Sequence, residues 1–180
     1  MSSPYTLRPV EAGDLPFLWD MLYEAAAVDA TMREIGRERA LTMSVNQKYL
    51  AGWGREGDSG WIAVNERQEP LGAAWYRLFP AGAPGYGFVS ESIPELTIGV
   101  HERARGLGVG GALLQALLRS AREQGRPALS LSVDRRNPAL RLYERHGFRD
   151  AGVSHSQDSS VTLVALFVTE LKLTVLKPLC

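Results

Sequence analysis

The centre of the predicted fold is the segment Val100-His101-Glu102-Arg103-Ala104-Arg105-Gly106-Leu107-Gly108-Val109-Gly110-Gly111. Residues 95–100 form an apolar run that predicts a buried strand, and residues 109–124 carry an apolar stripe that predicts a helix. Four glycines within six residues let the backbone approach a ligand closely. The N–H groups and the dipole at the start of a helix favour a phosphate. We therefore expect a strand-to-helix turn that holds a pyrophosphate; the alternative is a packing turn that binds nothing.

The elements on either side of this turn predict a mixed α/β sheet. Apolar runs predict strands at residues 5–10, 61–64, 71–79, 95–100, 128–133, 148–153 and 161–168. Helical spacing predicts helices from Asp14 to about Ala25, over residues 31–49, over residues 109–124 and from Asn137 to about His146. The order β, α, α, β, β, β, α, β, α, β, β contains one parallel βαβ crossover in the middle, and we expect function there.

Length, charge and cysteine content limit the class of protein. At 180 residues the chain is the size of one ordinary domain. Lys plus Arg equals Asp plus Glu at 20 each, so no overall field attracts nucleic acid or an anionic membrane. The single cysteine, Cys180, permits no internal disulfide. With no signal peptide and no apolar run of about 18 residues, a cytoplasmic location is expected.

The glycines also spell a dinucleotide fingerprint. Gly106, Gly108 and Gly111 fit G-x-G-x-x-G, and Asp134 ends the following predicted strand. In that motif the first glycine follows its strand almost directly, whereas residues 101–105 intervene here. The chain also has room for only one more helix and a hairpin after that strand. The spacing disfavours a nicotinamide-dependent oxidoreductase.

Two ordered motifs resemble the GNAT acetyltransferase family. Residues 105–110, Arg-Gly-Leu-Gly-Val-Gly, fit its acyl-CoA signature of Arg or Gln, x, x, Gly, x, Gly or Ala. The segment from Asn137 through Tyr143 to Phe148 resembles the family's Asn, Leu-Tyr-Glu and Gly-Phe segment. The resemblance covers most of the chain, from the opening strand to about Val168, and residues 169–180 depart from it as an additional tail.

The resemblance implies a fold and a cofactor. The fold would be one GNAT domain over residues 1–180, with a mixed, mostly antiparallel sheet of six to seven strands, a central parallel βαβ splay and about four helices. Acetyl-CoA would be the acetyl donor, and no metal is implied. Its pantetheine arm would bond backbone groups of Ile98, Gly99 and Val100. Its pyrophosphate would meet backbone N–H groups of Arg105, Gly106, Leu107, Gly108, Val109 and Gly110, with the Arg105 side chain nearby. Asn137 matches a position that contacts the cofactor arm, and N-capping explains it equally well.

The resemblance also assigns the catalytic groups. Tyr143 matches the tyrosine beside the thioester sulfur; packing is its other explanation. Tyr titrates near about 10 and a thiol near about 8.5, so a hydrogen bond to sulfur is expected rather than full proton transfer. The acceptor amine must lose a proton before attack. Glu95, at the start of the fourth strand, is the best base candidate, and Glu91 and His101 are weaker ones.

The function implied is transfer of an acetyl group from acetyl-CoA to a primary amine of a small molecule or peptide, by direct attack in a ternary complex. The alternative is a non-catalytic acyl-CoA-binding or sensor module. In this family residues 27–39 and 154–160 would select the acceptor. The acceptor's identity stays open, and so does the choice between monomer and homodimer. Neither nucleic acid nor membrane is expected as a partner.

Overall fold

Strand-forming runs and amphipathic helices occupy most of residues 4–26, 30–153 and 159–167, which the computed structural model describes. The strands are β1 (Tyr5–Pro9), β2 (Ser59–Asn65), β3 (Pro70–Arg77), β4 (Glu95–Val100), β5 (Ala128–Asp134), β6 (Arg149–Asp150) and β7 (Ser160–Leu166). The α-helices are α1 (Leu15–Ala26), α2 (Ala30–Ile35), α3 (Arg37–Thr42), α4 (Ser44–Gln47), α5 (Val109–Glu123) and α6 (Leu140–Arg145). The predicted tail, residues 169–180, lies outside the described residues.

The strands form one sheet in the order β1-β2-β3-β4-β5-β7-β6. Every described neighbour pair is antiparallel except β4 with β5, which α5 connects in the βαβ crossover predicted from the sequence. The prediction of a mixed, mostly antiparallel α/β sheet with one central parallel pair is therefore confirmed.

The central parallel pair separates soon after it begins. β4 and β5 share one paired position, Glu95 with Ser130, where Ser130 N donates to Pro94 O at 3.0 Å. On its other side β4 pairs with β3 at six positions, from Glu95 to Val100. The sheet therefore parts between β4 and β5, which is the splay expected for a pantetheine arm.

The sheet separates two apolar clusters. One lies against α5 and contains the stripe predicted for that helix, Val109, Leu113, Leu114, Leu117, Leu118 and Ala121. The other lies against α1 and contains Leu18, Met21 and Leu22 with Ile62 and Trp75 of the sheet. Because these apolar clusters cover both faces of the sheet, the gap between β4 and β5 is the place where a ligand can reach the central strands.

The second predicted helix is wrong as a single element. Residues 31–49 form three short helices, because Gly36 adopts a left-handed conformation at φ +78° and Met43 is extended at ψ 131°. Neither conformation continues an α-helix. The described residues thus contain six α-helices rather than four.

The final hairpin is also shorter than predicted. β6 covers two residues where residues 148–153 were expected to form a strand. Gly147 and Gly152 have φ values of +90° and +69° and bend the chain on either side. Phe148 is fully buried beside them and fixes this turn to the core.

None of the described helices has the length and apolar character that a membrane span requires.

Candidate active site

The turn between β4 and α5 presents backbone N–H groups to solvent. A 3-10 turn, Glu102–Ala104, leads into Gly106 and Gly108, whose left-handed φ values of +76° and +81° require glycine. Gly108 is the residue that precedes α5 and has no side chain with which to cap it. The first N–H groups of α5 lack intrahelical partners. The three residues before this helix start, Gly106, Leu107 and Gly108, are exposed. The N–H groups at the helix start are therefore suited to binding a phosphate.

The Arg105 side chain contacts α1 and the end of β4. Its Nη2 forms an ion pair with Glu24 Oε2 of α1 at 3.0 Å, and its Nε lies 3.5 Å from Val100 O. The guanidinium is about half exposed, at 55%. An exposed ion pair contributes little, about 0–1 kcal/mol, so Glu24 is a partner that a phosphate can replace. The expectation that Arg105 lies near a bound pyrophosphate stays a prediction.

Backbone groups along β4 alternate between its two neighbours. His101 N donates to Leu71 O at 2.8 Å, which turns the polar groups of this residue towards β3. Counting back by two, the backbone of Gly99 also faces β3, and the backbone groups of Ile98 and Val100 face the gap beside β5. Of the three residues predicted to bind a pantetheine arm, Ile98 and Val100 have suitable groups. For Gly99 the contact stays a prediction that the direction of its backbone groups does not support.

Gly99 has a packing role instead. A Cβ added at Gly99 would lie 2.4 Å from the carbonyl oxygen of Met21. The absence of a side chain lets α1 lie directly on β4. This contact holds α1, and with it Glu24, against the strand that ends at the glycine turn.

Tyr143 lies on α6, and the same helix packs against the start of α5. Leu142 of α6 would be 3.6 Å from a Cβ at Gly110 or Gly111, so these glycines permit close packing of the two helices. Tyr143 is 7% exposed and contacts Phe148 edge-on, with ring centroids 6.0 Å apart. Burial raises the pKa of the Tyr143 phenol to about 12. The phenol therefore remains protonated near neutral pH.

Asn137 shapes the approach to α6. Its Oδ1 accepts a hydrogen bond from Ala139 N at 2.9 Å, and Asn137 O accepts one from Leu140 N at 3.0 Å. The regular helix then begins at Leu140, three residues later than the sequence predicts. Asn137 therefore stabilises the turn before α6 and is not its N-cap, which is Ala139. Contact between Asn137 and a cofactor stays a prediction.

Glu95 is buried at the point where β4 and β5 part. The residue is 3% exposed, and its Oε1 accepts a hydrogen bond from Tyr49 Oη at 2.7 Å. Tyr49 Oη itself accepts from Tyr86 N at 2.8 Å. A Cβ at Gly85 would lie 1.9 Å from Glu95 Oε2, so the backbone of the β3–β4 loop lies directly against the carboxylate.

A cation stands beside this carboxylate. Lys48 Nζ donates to Pro84 O at 2.6 Å and lies 5.2 Å from the centre of the Tyr86 ring. Burial lowers the pKa of the Lys48 ammonium, and the negative charge of Glu95 acts in the opposite direction. The Lys48 ammonium and the Glu95 carboxylate therefore attract each other electrostatically, and this attraction does not require a direct hydrogen bond.

Ser130 faces Glu95 across the single β4–β5 contact. Its hydroxyl is fully buried and has no hydrogen-bond partner within residues 4–26, 30–153 and 159–167. A buried hydroxyl without a partner costs about 1–3 kcal/mol. The hydroxyl therefore has hydrogen-bonding capacity that no described residue uses.

The weaker base candidates lie in different surroundings. Glu91 is exposed and accepts a hydrogen bond from Ala81 N at 2.9 Å within the β3–β4 loop. His101 is exposed just beyond the end of β4. Among the described residues, no group of three or more His, Cys, Asp or Glu side chains is arranged to hold a metal ion.

Comparison with known protein families identifies the family of this chain. The sequence model of the Acetyltransferase (GNAT) family matches residues 19–148. The chain belongs to the GNAT acetyltransferase family. Its matched region contains the glycine turn, Glu95, Asn137 and Tyr143.

Individual GNAT relatives differ in length. The chain is 50% identical over 163 residues to a mycothiol acetyltransferase of Thermomonospora curvata, covering 78% of this chain and 49% of that protein. It is 29% identical over 148 residues to an L-methionine sulfoximine/L-methionine sulfone acetyltransferase of Pseudomonas paraeruginosa, covering 82% and 81%. The chain spans 25–49% of the length of the mycothiol acetyltransferases that it matches.

Solved GNAT structures share the fold. A GNAT acetyltransferase from Staphylococcus aureus superposes with a TM-score of 0.63 at 18% identity, covering 90% of this chain and 98% of that one. The dinucleotide alternative is wrong, because that fold requires a mostly parallel sheet and one described strand pair here is parallel. Asp134 is instead engaged by Arg136 and Ser159.

Two residues beside Glu95, Tyr49 and Ser130, were not predicted from the sequence. Tyr49 lies 46 positions before Glu95, so no local pattern links the two. A signal for Ser130 existed, because Ser130 and Ser132 place hydroxyls at alternate positions of an otherwise apolar strand. Of the segments expected to select the acceptor, residues 27–29 and 154–158 lie outside the described residues.

Proposed function

We propose that this chain transfers an acetyl group from acetyl-CoA to a primary amine of a small molecule or peptide, by direct attack in a ternary complex. One observation carries the proposal: the gap between β4 and β5 runs from a buried carboxylate, Glu95, to a helix start that no side chain of the described residues caps. The names of the relatives, which include mycothiol and methionine sulfoximine acetyltransferases, support acetyl transfer as the reaction class.

The residues at this gap fit an acyl-CoA. Acetyl-CoA supplies an acetyl group activated as a thioester, and no metal is required. Backbone N–H groups of Gly106, Leu107, Gly108, Val109 and Gly110 hold the pyrophosphate, and Arg105 exchanges Glu24 for it. Ile98 and Val100 bind the arm through backbone groups that face the gap. Ala139 N occupies one acceptor position of Asn137 Oδ1, and the rest of the Asn137 amide is available to contact the cofactor.

Glu95 acts as the proton acceptor. An alkylammonium has a pKa near about 10, so an attacking amine has to lose a proton. Glu95 is a buried carboxylate at the mouth of the gap, and it takes that proton on a carboxylate oxygen. The neighbouring Ser130 hydroxyl accepts an N–H of the amine and orients it.

Tyr143 stabilises charge and keeps its own proton. Its pKa of about 12 lies well above the value of about 8.5 for a thiol, so full transfer of the proton to a leaving thiolate is uphill. A hydrogen bond from Tyr143 Oη to the sulfur still stabilises the developing negative charge. Together, Glu95 and Tyr143 favour the enzyme over a non-catalytic acyl-CoA-binding module.

Tyr143→Phe tests the reaction. Because only the hydroxyl is removed, we expect kcat to fall by about 10- to 100-fold with little change in acetyl-CoA affinity. The measurement is amine-dependent release of CoA thiol, with affinity from titration calorimetry. Tyr76→Phe is the matched control, since Tyr76 is a buried tyrosine of the same apolar cluster. Unchanged turnover in Tyr143→Phe would remove this residue from the mechanism.

The proposal extends to the cellular location, partners and oligomeric state of the enzyme. A cytoplasmic location is supported by a sequence whose one cysteine is Cys180, and a net charge of zero supports a partner other than nucleic acid or membrane. The chain would act as a monomer or homodimer.

A further inference from the structure

The Glu95 carboxylate is oriented by a residue far away in the sequence. Tyr49, in the turn that follows α4, donates a hydrogen bond of 2.7 Å from its Oη to Glu95 Oε1. Tyr49 is 6% exposed, so both partners are shielded from water. Hydrogen bonds to a charged group in such surroundings are strong, because water does not compete for either partner.

The direction of this hydrogen bond is fixed by a third group. Tyr86 N carries a backbone hydrogen and can only donate, and it lies 2.8 Å from Tyr49 Oη. The phenol oxygen therefore accepts from Tyr86 and directs its single proton to Glu95. Burial, and then the negative charge of Glu95, raise the pKa of the Tyr49 phenol well above its ordinary value. Tyr49 remains a donor over the range in which an acetyltransferase works.

Tyr49 is itself held by contacts that do not involve its hydroxyl. Trp75 Nε1 donates to the carbonyl oxygen of Tyr49 at 3.2 Å, and the Tyr49 and Phe79 rings meet edge-on at 5.1 Å. The preceding carbonyl, that of Lys48, accepts a hydrogen bond from Arg77 Nη1 at 3.0 Å. These contacts do not depend on the hydroxyl, so we expect the ring to keep its packing when the hydroxyl is removed.

We propose that Tyr49 is a positioning residue for Glu95: it fixes the orientation of the carboxylate and favours its ionised form, ready to take a proton from the acceptor amine. This inference rests on the proposed function, because it assumes that Glu95 is the base. A hydrogen bond donated to a carboxylate stabilises the charged form over the neutral one. Without Tyr49, a higher pH is required before Glu95 is ionised and active.

Other groups also face Glu95 and stay in place when the Tyr49 hydroxyl is removed. Lys48 lies beside the carboxylate, and Tyr86 belongs to the loop that covers it. Arg77 is opposite Glu95 on β3, but its guanidinium is bound to Asp58. Ser130 faces Glu95 from β5 and carries no charge. A Tyr49→Phe variant therefore isolates one hydrogen bond against a constant electrostatic background.

The test is the pH dependence of kcat/KM for the amine in Tyr49→Phe. We expect the acidic limb of the profile to move to higher pH by about one unit, and the rate on that limb to fall about tenfold. KM for acetyl-CoA and the melting temperature should stay close to those of the wild type. Thr162→Val is the matched control, because it removes a different hydrogen bond to the same loop, from Thr162 Oγ1 to Tyr86 O, and leaves Tyr49 Oη untouched.

The outcomes separate the two proposals. The positioning role is supported if the acidic limb of the pH profile moves in Tyr49→Phe and stays in place in Thr162→Val. If the Tyr49→Phe profile superimposes on the wild-type profile while Glu95→Gln abolishes the limb, the positioning role is overturned and the base stands. If Glu95→Gln keeps both wild-type turnover and the wild-type limb, the base assignment and the positioning role fall together.

Discussion

Glu95→Gln is expected to lower kcat for acetyl transfer by about 10²- to 10³-fold. The amide has the shape of the carboxylate, and its oxygen still accepts the hydrogen bond that Tyr49 donates to Glu95 Oε1. It cannot take a proton from an ammonium with a pKa near about 10. The amine then attacks only through its small neutral fraction. The rate is measured as amine-dependent release of CoA thiol at saturating acetyl-CoA.

Two controls accompany this variant. Glu91→Gln removes the same unit of charge from an exposed carboxylate in the adjacent loop, and its turnover should equal that of the wild type. Titration calorimetry should give Glu95→Gln an acetyl-CoA affinity within a factor of about two of the wild-type value, since no backbone amide of the glycine turn is altered. A Glu95→Gln enzyme as fast as the wild type would show that the proton leaves by another route.

Asp58→Ala is expected to lower the free energy of unfolding by about 3–5 kcal/mol. Asp58 and Arg77 form an ion pair whose side chains are 2% and 1% exposed, with Nε and Nη2 donating at 3.0 and 2.6 Å. Arg77 Nη1 also donates to Lys48 O and Ala51 O, at 3.0 and 2.8 Å. Removing Asp58 leaves a buried cation without its counter-ion. The effect is measured by urea denaturation followed by circular dichroism.

An exposed pair supplies the matched control. Asp20 and Arg37 connect α1 to α3, and both side chains are about half exposed, at 48% and 51%. Asp20→Ala should therefore cost only about 0–1 kcal/mol. Equal losses in Asp20→Ala and Asp58→Ala would contradict the view that burial, rather than ion pairing as such, gives the Asp58–Arg77 contact its importance.

Local patterns were enough to predict the centre of this fold. The apolar stripe of α5, the run of residues 95–100 and the glycines between them each follow from short-range geometry, namely helical period, strand burial and left-handed turns. The same geometry placed Glu95 at the start of its strand and Tyr143 on a helix. These features need no knowledge of distant contacts, and the structure retains them.

Long-range contacts decided the remainder. Glu95 meets Tyr49 across 46 positions, and Arg105 meets Glu24 across 81, and no local spacing encodes either contact. Arg77 ends an otherwise apolar strand, and no sequence pattern indicated that it would be buried or that Asp58 would be its partner. The division of residues 31–49 into three helices depended on Gly36 and on packing that helical period does not report.

In the proposed complex the glycine turn holds the diphosphate of an acyl-CoA, and the thioester lies where β4 and β5 part. A crystal structure with bound acetyl-CoA would locate both groups. We predict phosphate oxygens within hydrogen-bonding distance of backbone N–H groups of residues 106–110, and the acetyl group beyond the Glu95–Ser130 contact. Acetyl-CoA bound elsewhere, or β4 and β5 paired along their length in the complex, would contradict the account.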